Sequence, residues 1–162
     1  MAGKIKEILL AKHAGDKLTS HSCAMLESGK GIVGDRYYAA QGTFSDKLKG
    51  TLGSEVTLIE LEQINAFNAT TSLNHSAADF RRNIVTENID LNSLVGKEFN
   101  IGMVTMRGIL LCEPCAYLAE RLGSQLIEHM THKAGLRAHI ISGGTITNSD
   151  TITLTLNHKD SK

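Results

Sequence analysis

Gly108-Ile109-Leu110-Leu111-Cys112-Glu113-Pro114-Cys115 runs directly into Ala116-Tyr117-Leu118-Ala119-Glu120-Arg121-Leu122. The first half is apolar and has the length of a strand, whereas the second sets its leucines four apart, as a helix does. The stretch is read as a strand handing over to a helix, with two thiols at the crossing. Partial positive charge at a helix N-terminus favours thiolate over thiol. Thiolate is the form that attacks, ligates soft metals and carries sulfur. Chemistry is therefore expected here. Cys115, nearer the helix start, is the expected working thiol, with Cys112 as its support or resolving partner.

Working outward, the helical face continues through Leu118, Leu122 and Leu126, with Ile127 and Met130 beside them, and is expected to hinge at Gly123 into two helices. Arg137 to Ser142 then reads as a strand, Gly143-Gly144 as a turn, and Thr151 to Leu156 as the cleanest period-2 strand in the chain. Upstream, Phe99 to Leu111 supplies two apolar segments broken by Gly102 and Gly108. Asn83-Ile84-Val85 starts a strand, and Ser76 with Asp79 forms a capping pair for a short helix ending at Arg81 and Arg82. Glu55 to Ile59 is strand-like before helical spacing takes over from Glu60 to Phe67. Ile5 to Leu10 opens the chain as a strand, and residues 13–53 read as brief strands joined by long loops.

Many short strands with turn signals, plus two or three helices beyond the midpoint, describe a mainly β fold: a small closed β-barrel with two or three peripheral helices. Regular alternation of strands and helices does not appear, nor does a linker or repeat. One domain over residues 1–162 is expected.

Composition narrows the function. The 17 basic and 17 acidic residues cancel, which argues against non-specific nucleic-acid binding. No apolar run approaches the roughly 18 residues of a membrane span, and the N-terminal Met-Ala-Gly-Lys-Ile-Lys-Glu does not read as a signal peptide. Three cysteines, two of them three positions apart, do not make a secreted disulfide framework; reduced thiols and a cytoplasmic location are expected.

Other readings of the cysteine pair stay open on residue chemistry alone. In the bland reading Cys112 is a core residue and Cys115 a coincidental neighbour, since free cysteine is commonly buried. Cys-x-Pro-Cys between strand and helix also suits dithiol redox chemistry. Against that, the 47 residues from 116 to 162 are too few for the rest of a thioredoxin fold, and Pro114 is the only proline. His129-x-x-His132 downstream offers a zinc pairing, but its spacing is shorter than the usual finger, and an exposed helix end explains the histidines as well.

Arginines fall at turns: Arg36 after Gly34-Asp35, Arg81-Arg82 before Asn83, and Arg137 after Gly135-Leu136. Guanidinium forks bind phosphate bidentately, and glycines let backbone approach an anion. Each arginine equally suits a solvated ion pair, with Asp35 or Asp79 for example.

The ordered set Gly34-Asp35-Arg36-Tyr37, Gly42-Thr43-Phe44-Ser45, Arg81-Arg82-Asn83-Ile84-Val85-Thr86, Leu94-Val95-Gly96, Phe99-Asn100-Ile101-Gly102, Cys112-Glu113-Pro114-Cys115 and Gly135-Leu136-Arg137-Ala138 resembles the MOSC domain. That module is found at the C-terminus of molybdenum-cofactor sulfurases and as stand-alone bacterial proteins. Asn148-Ser149-Asp150 departs from the Gly-Asp usual before the last strand. The resemblance implies a barrel like that of pyruvate kinase and metal–sulfur chemistry. The family's characteristic cysteine maps to Cys115, implying sulfur delivery as a persulfide or ligation of molybdenum in a molybdopterin-type cofactor. Gly34, Asp35, Arg36, Arg82, Asn83 and Arg137 are the implied cofactor-binding set. Pyridoxal phosphate belongs to the sulfurases' aminotransferase-like domain and is not expected in this chain. Implied partners are a cysteine-desulfurase-type sulfur donor or an electron-transfer partner. The latter would serve the alternative role of a molybdenum-dependent reductase of N-hydroxylated compounds; a third role is a non-catalytic cofactor-binding module.

Overall fold

The computed structural model describes residues 2–155. In chain order its elements are β1 (Gly3–Leu10), β2 (Thr19–His21), β3 (Cys23–Glu27), β4 (Gly31–Ile32), α1 (Ser45–Leu48), β5 (Val56–Glu60), α2 (Leu61–Thr71) and β6 (Ile84–Glu87). There follow β7 (Glu98–Ile101), β8 (Val104–Leu111), α3 (Ala116–Leu122), α4 (Leu126–Met130), β9 (Leu136–Ser142), β10 (Gly144–Thr147) and β11 (Thr151–Leu154). Seven strands form a closed barrel in the order β11-β7-β8-β9-β5-β6-β1, and β1 returns to β11 through Gly3 opposite Ile152 and Lys4 opposite Thr151. Closure leaves the ring no free edge. β2 pairs outside the ring with β1, and β10-β3-β4 makes a separate three-stranded sheet.

The expected mainly β barrel with peripheral helices is what the chain forms, with four α-helices among the described residues. The helix absent from the sequence reading is α1, whose four residues are too few to show a period. One strand–helix–strand unit is also present, since β5 and β6 are parallel and α2 makes the crossover between them.

That crossover buries the wall on both sides. Ile8, Leu58, Ile84, Leu136 and Ala138 join the core enclosed by the barrel, with Phe99, Ile101 and Val104 from the far wall. Leu9, Ile59 and Val85, one position on, join a second core with Ile64 and Phe67 of α2, Leu118 and Leu122 of α3, and Leu126 and Met130 of α4. Burial on both faces explains why β1 and β5 read as runs rather than as alternation.

Gly102 breaks the two strands as expected, turning the chain with φ +56° between β7 and β8. Gly108 does not break a strand. It lies inside β8, where the register shifts between Gly108 and Leu110. A Cβ there would lie 2.1 Å from the Leu94 carbonyl oxygen, so the glycine marks a bulge where another backbone passes close. Gly123, at φ +106°, separates α3 from α4. Ser76 and Asp79 cap each other around a 3-10 turn at Ala77–Phe80. The final strand is seen from Thr151 to Leu154; Leu156 lies outside the described residues. No helix among the described residues is long and apolar enough to cross a membrane.

Candidate functional site

β8 ends at Leu111, and the next residue extends its ladder, with the Cys112 N–H donating to the Gly135 carbonyl at 2.8 Å. Gly135 is at φ +116°, and a Cβ there would sit 2.1 Å from the Leu58 carbonyl oxygen. Only glycine permits that approach, which draws the entry of β9 against β5 beside the thiol loop. Cys112 is buried. Cys115, half-buried, is the N-cap of the seven-residue α3, and its carbonyl accepts the Ala119 N–H at 2.9 Å. Cys23, the third cysteine, is exposed on β3. Glu113 ties the loop to the end of α4: its carboxylate accepts the His132 N–H at 3.1 Å and faces the ring Nδ1 at 3.1 Å. That contact occupies His132. No cluster of three or more His, Cys, Asp or Glu groups able to hold a metal occurs among the described residues.

Cys112 and Cys115 line a cavity of about 330 Å³ together with Arg82, Arg137, Lys47, Phe44 and Glu113, whose carboxylate is engaged by His132. Arg82 is buried, its Nε donating to the Ala134 carbonyl at 2.9 Å and its Nη2 to the Cys112 carbonyl at 3.3 Å. These neutral acceptors fix the guanidinium against the thiol loop without cancelling its charge. Arg137, partly buried, reaches the Gly53 carbonyl at 3.5 Å.

Arg82, Arg137 and Phe44 also border a smaller void of about 20 Å³, walled further by Arg36, Arg81 and Tyr117. It has room for roughly one water. The Phe44 and Tyr117 rings meet edge-on with centroids 6.3 Å apart. Of these four arginines only Arg36 has a carboxylate at ion-pair distance among the described residues, with its Nη1 3.0 Å from Asp35 Oδ1. Arg36 also donates to the Arg81 carbonyl at 3.3 Å and stacks on Tyr37. Burial lowers the pKa of Arg81 from the ordinary arginine value, with Arg36 and Arg121 nearby adding to the effect and Tyr117 opposing it. It stays a cation at neutral pH.

The residues singled out from sequence therefore separate into groups. Cys112, Cys115, Arg82 and Arg137 share one cavity, and Arg36 lines the adjoining void. Asp35, Asn83 and Gly34 line neither. Asp35 is buried and accepts from the Ala11 N–H, the Tyr37 N–H and Arg36. The Asn83 side chain is spent inside the wall, accepting from the Thr57 N–H and hydroxyl at 3.2 Å and donating to the Leu9 carbonyl at 3.2 Å. Gly34 is an exposed turn residue at φ +90°. These three hold the frame that carries Arg36 and Arg82. Sequence reasoning passed over Phe44 and Tyr117 as site residues, and it weighed Arg81 among the phosphate-binding arginines without including it in the implied cofactor-binding set.

The MOSC domain model matches residues 45–153, most of the chain, and the chain belongs to the MOSC domain family. Among solved structures, the YUAD protein from Bacillus subtilis superposes with a TM-score of 0.78 at 16% identity, over 94% of each chain. YiiM from Geobacillus stearothermophilus follows at 0.73 and 13% identity, over 95% of this chain and 75% of that one. YiiM from Escherichia coli gives 0.64 and 16% identity, over 96% and 69%. At these identities the likeness is one of fold. No curated protein matches at a significant level.

Proposed function

We propose that the chain performs metal–sulfur chemistry through Cys115, carrying sulfur as a persulfide or ligating molybdenum of a molybdopterin-type cofactor. The observation that supports it is the shared cavity: a half-buried thiol beside Arg82 and Arg137, neither of which has a carboxylate partner among the described residues. A thiolate, a persulfide and a pterin phosphate are all anions, and fixed guanidinium groups stabilise each of them there.

As a carrier, the Cys115 thiolate attacks the terminal sulfur of a persulfide on a cysteine-desulfurase-type donor. The donor's S–S bond breaks, its own thiolate leaves, and the new S–S bond forms on Cys115. The exchange moves one sulfur and is redox-neutral. Arg82 and Arg137 hold the negative charge on the attacking and arriving sulfur, and buried Cys112 lines the same cavity as support for the Cys115 loop.

The donor set also fits the cofactor. Cys115 offers one soft thiolate, matched to a thiophilic metal, and Arg82, Arg137 and Lys47 offer cations for the anionic remainder. When bound, that group supplies two-electron redox chemistry, for which a separate electron donor is needed. Pyridoxal phosphate has no part in this reading.

Metal analysis and cyanide treatment of freshly purified protein test the proposal. Either cyanide-labile sulfur or co-purifying molybdenum is expected in the parent chain, and Cys115→Ser is expected to lose it while remaining folded. Equal loss on Cys112→Ser would move the function to a dithiol. Loading that survives Cys115→Ser would overturn it.

A further inference from the structure

We propose that Glu113 is the positioning residue of the thiol loop: clasped by His132, its carboxylate holds Cys115 beside the guanidinium groups of the cavity. The inference rests on the function proposed for Cys115 and gives that site a residue acting through the thiol rather than on it.

The loop's own backbone is nearly untethered. Cys112 is held on both sides, its N–H donating to the Gly135 carbonyl at 2.8 Å and its carbonyl accepting from Arg82 Nη2 at 3.3 Å. Pro114 has no N–H to offer, and among the described residues no hydrogen bond reaches the backbone of Glu113 or Pro114. The next backbone bond is that of the Cys115 carbonyl, which accepts the Ala119 N–H at 2.9 Å and belongs to α3. Between the two cysteines the Glu113 side chain is therefore the tether.

His132 supplies the other half. It lies in the left-handed region at φ +62°, which a residue other than glycine occupies at a cost. From there its N–H lies 3.1 and 3.2 Å from the two Glu113 carboxylate oxygens, and its ring Nδ1 lies 3.1 Å from one of them. The His132 carbonyl accepts Asn92 Nδ2 at 2.7 Å. Asn92 sits in the 3-10 turn Leu91–Leu94, whose two leucines are buried in the barrel core. Met130 and Ala134, on either side of His132, are buried in the second core. The clasp thus joins an exposed loop to both cores. It also occupies the Glu113 charge, since a carboxylate turned toward Arg82, Arg137 and Lys47 would oppose every anion the cavity could hold. At ion-pair distance Glu113 has only His132 among the described residues.

Two readouts on the full chain, without added sulfur or metal, test the role. Hydrogen exchange at the His132 amide reads the clasp itself. It should quicken about fivefold in Glu113→Ala, the weight of one exposed charged contact, and stay near the parent rate in Glu113→Gln, whose amide oxygen still accepts the N–H. The iodoacetate-to-iodoacetamide rate ratio at Cys115 reads the consequence. Removing a negative charge beside the thiol would by itself raise that ratio in both variants. Positioning predicts instead a fall of at least about twofold in Glu113→Ala, as Cys115 leaves the guanidinium field, and no fall in Glu113→Gln. Asn92→Ala changes no charge and should also lower the ratio, which decides the matter if Glu113→Ala does not fold. Unchanged exchange in Glu113→Ala overturns the clasp. A ratio that rises equally in both Glu113 variants, or stays at the parent value in Glu113→Ala, overturns the positioning role. A parent ratio at Cys115 no higher than at exposed Cys23 contradicts the function proposed above, while the exchange result still stands for or against the clasp.

Discussion

Along β5, β6 and β9 the barrel wall has a dry face toward the enclosed core and an outer face of two kinds. That outer face is dry where Ile59 and Val85 meet the helices and polar, its wet stretch, at Thr57, Asn83 and Arg137. Leu58, Ile84, Leu136 and Ala138 join the enclosed core and are fully buried. The neighbours of those positions are Thr57, Asn83 and Arg137. Thr57 and Arg137 border the arginine-lined void, and Asn83 locks Thr57 in place. Alternate residues of the same strands thus separate stability from chemistry, because a strand sends successive side chains to opposite faces. The difference teaches that the site can be altered one residue away from a core position without disturbing the core.

The largest expected effect lies on the dry face. Leu58→Ala should cost about 4 kcal/mol, from lost transfer energy plus a cavity that a closed barrel cannot collapse, and should lower the melting temperature by roughly 10 °C in thermal unfolding. Asn83→Ala comes next. It strands the Thr57 N–H and the Leu9 carbonyl inside the wall, and about 2–3 kcal/mol should be lost in denaturant titration. If Asn83→Ala were harmless to stability but removed sulfur or metal loading, Asn83 would move from frame to site.

Glu60, the last residue of β5, sharpens the comparison through pH. Burial, with the negative charges of Asp90 and Glu62 nearby, raises its pKa from 4.5 to about 7. A carboxyl with a folded pKa above its unfolded value contributes stability that is fully present below about pH 4.5 and lost as pH rises through 7. Glu60→Gln, which stays neutral, should therefore be more stable than the parent chain at pH 8 by roughly 1 kcal/mol after solvent screening, and the gain should vanish by pH 4.5. A gain that grows on acidification would contradict the assignment. The smallest effect is Arg137→Gln. Its single hydrogen bond, to Gly53, is long at 3.5 Å, so a loss below about 1 kcal/mol is expected in stability, with the change confined to the thiol cavity and the adjoining void.

Much of the dry face was legible in the sequence. Period-2 strands, the leucine stripe of α3 and α4, and the Ser76–Asp79 cap are local signals, and local signals survive in a linear reading. The parallel pairing of β5 and β6 was not, because the polar stretch from Ser72 to Ser76 hides the return of the chain behind α2. Gly108 read as a break because its cause, the Leu94 carbonyl, comes from elsewhere in the chain. On the wet face the sequence located Cys115 at a helix start and named Arg36, Arg82 and Arg137, yet convergence is set by tertiary contacts. Arg82 is positioned by Ala134 and Cys112, and Arg81 by a left-handed turn at φ +61° and by Asp16. Asn83 entered the cofactor-binding set through the family resemblance. In the fold its side chain pairs with the Thr57 N–H and hydroxyl and with the Leu9 carbonyl.

The central claim is that Cys115 works in a cavity whose fixed charge is positive. Alkylation by iodoacetate and by neutral iodoacetamide, with peptide mapping of each cysteine, tests it directly, because the two reagents differ mainly in charge. The iodoacetate-to-iodoacetamide rate ratio at Cys115 should exceed that at exposed Cys23 several-fold at low salt. It should fall toward the Cys23 value in Arg137→Gln and as salt rises, since screening weakens the guanidinium field. Equal ratios at the two cysteines in the parent chain, or a ratio at Cys115 insensitive to both salt and Arg137, would contradict the account.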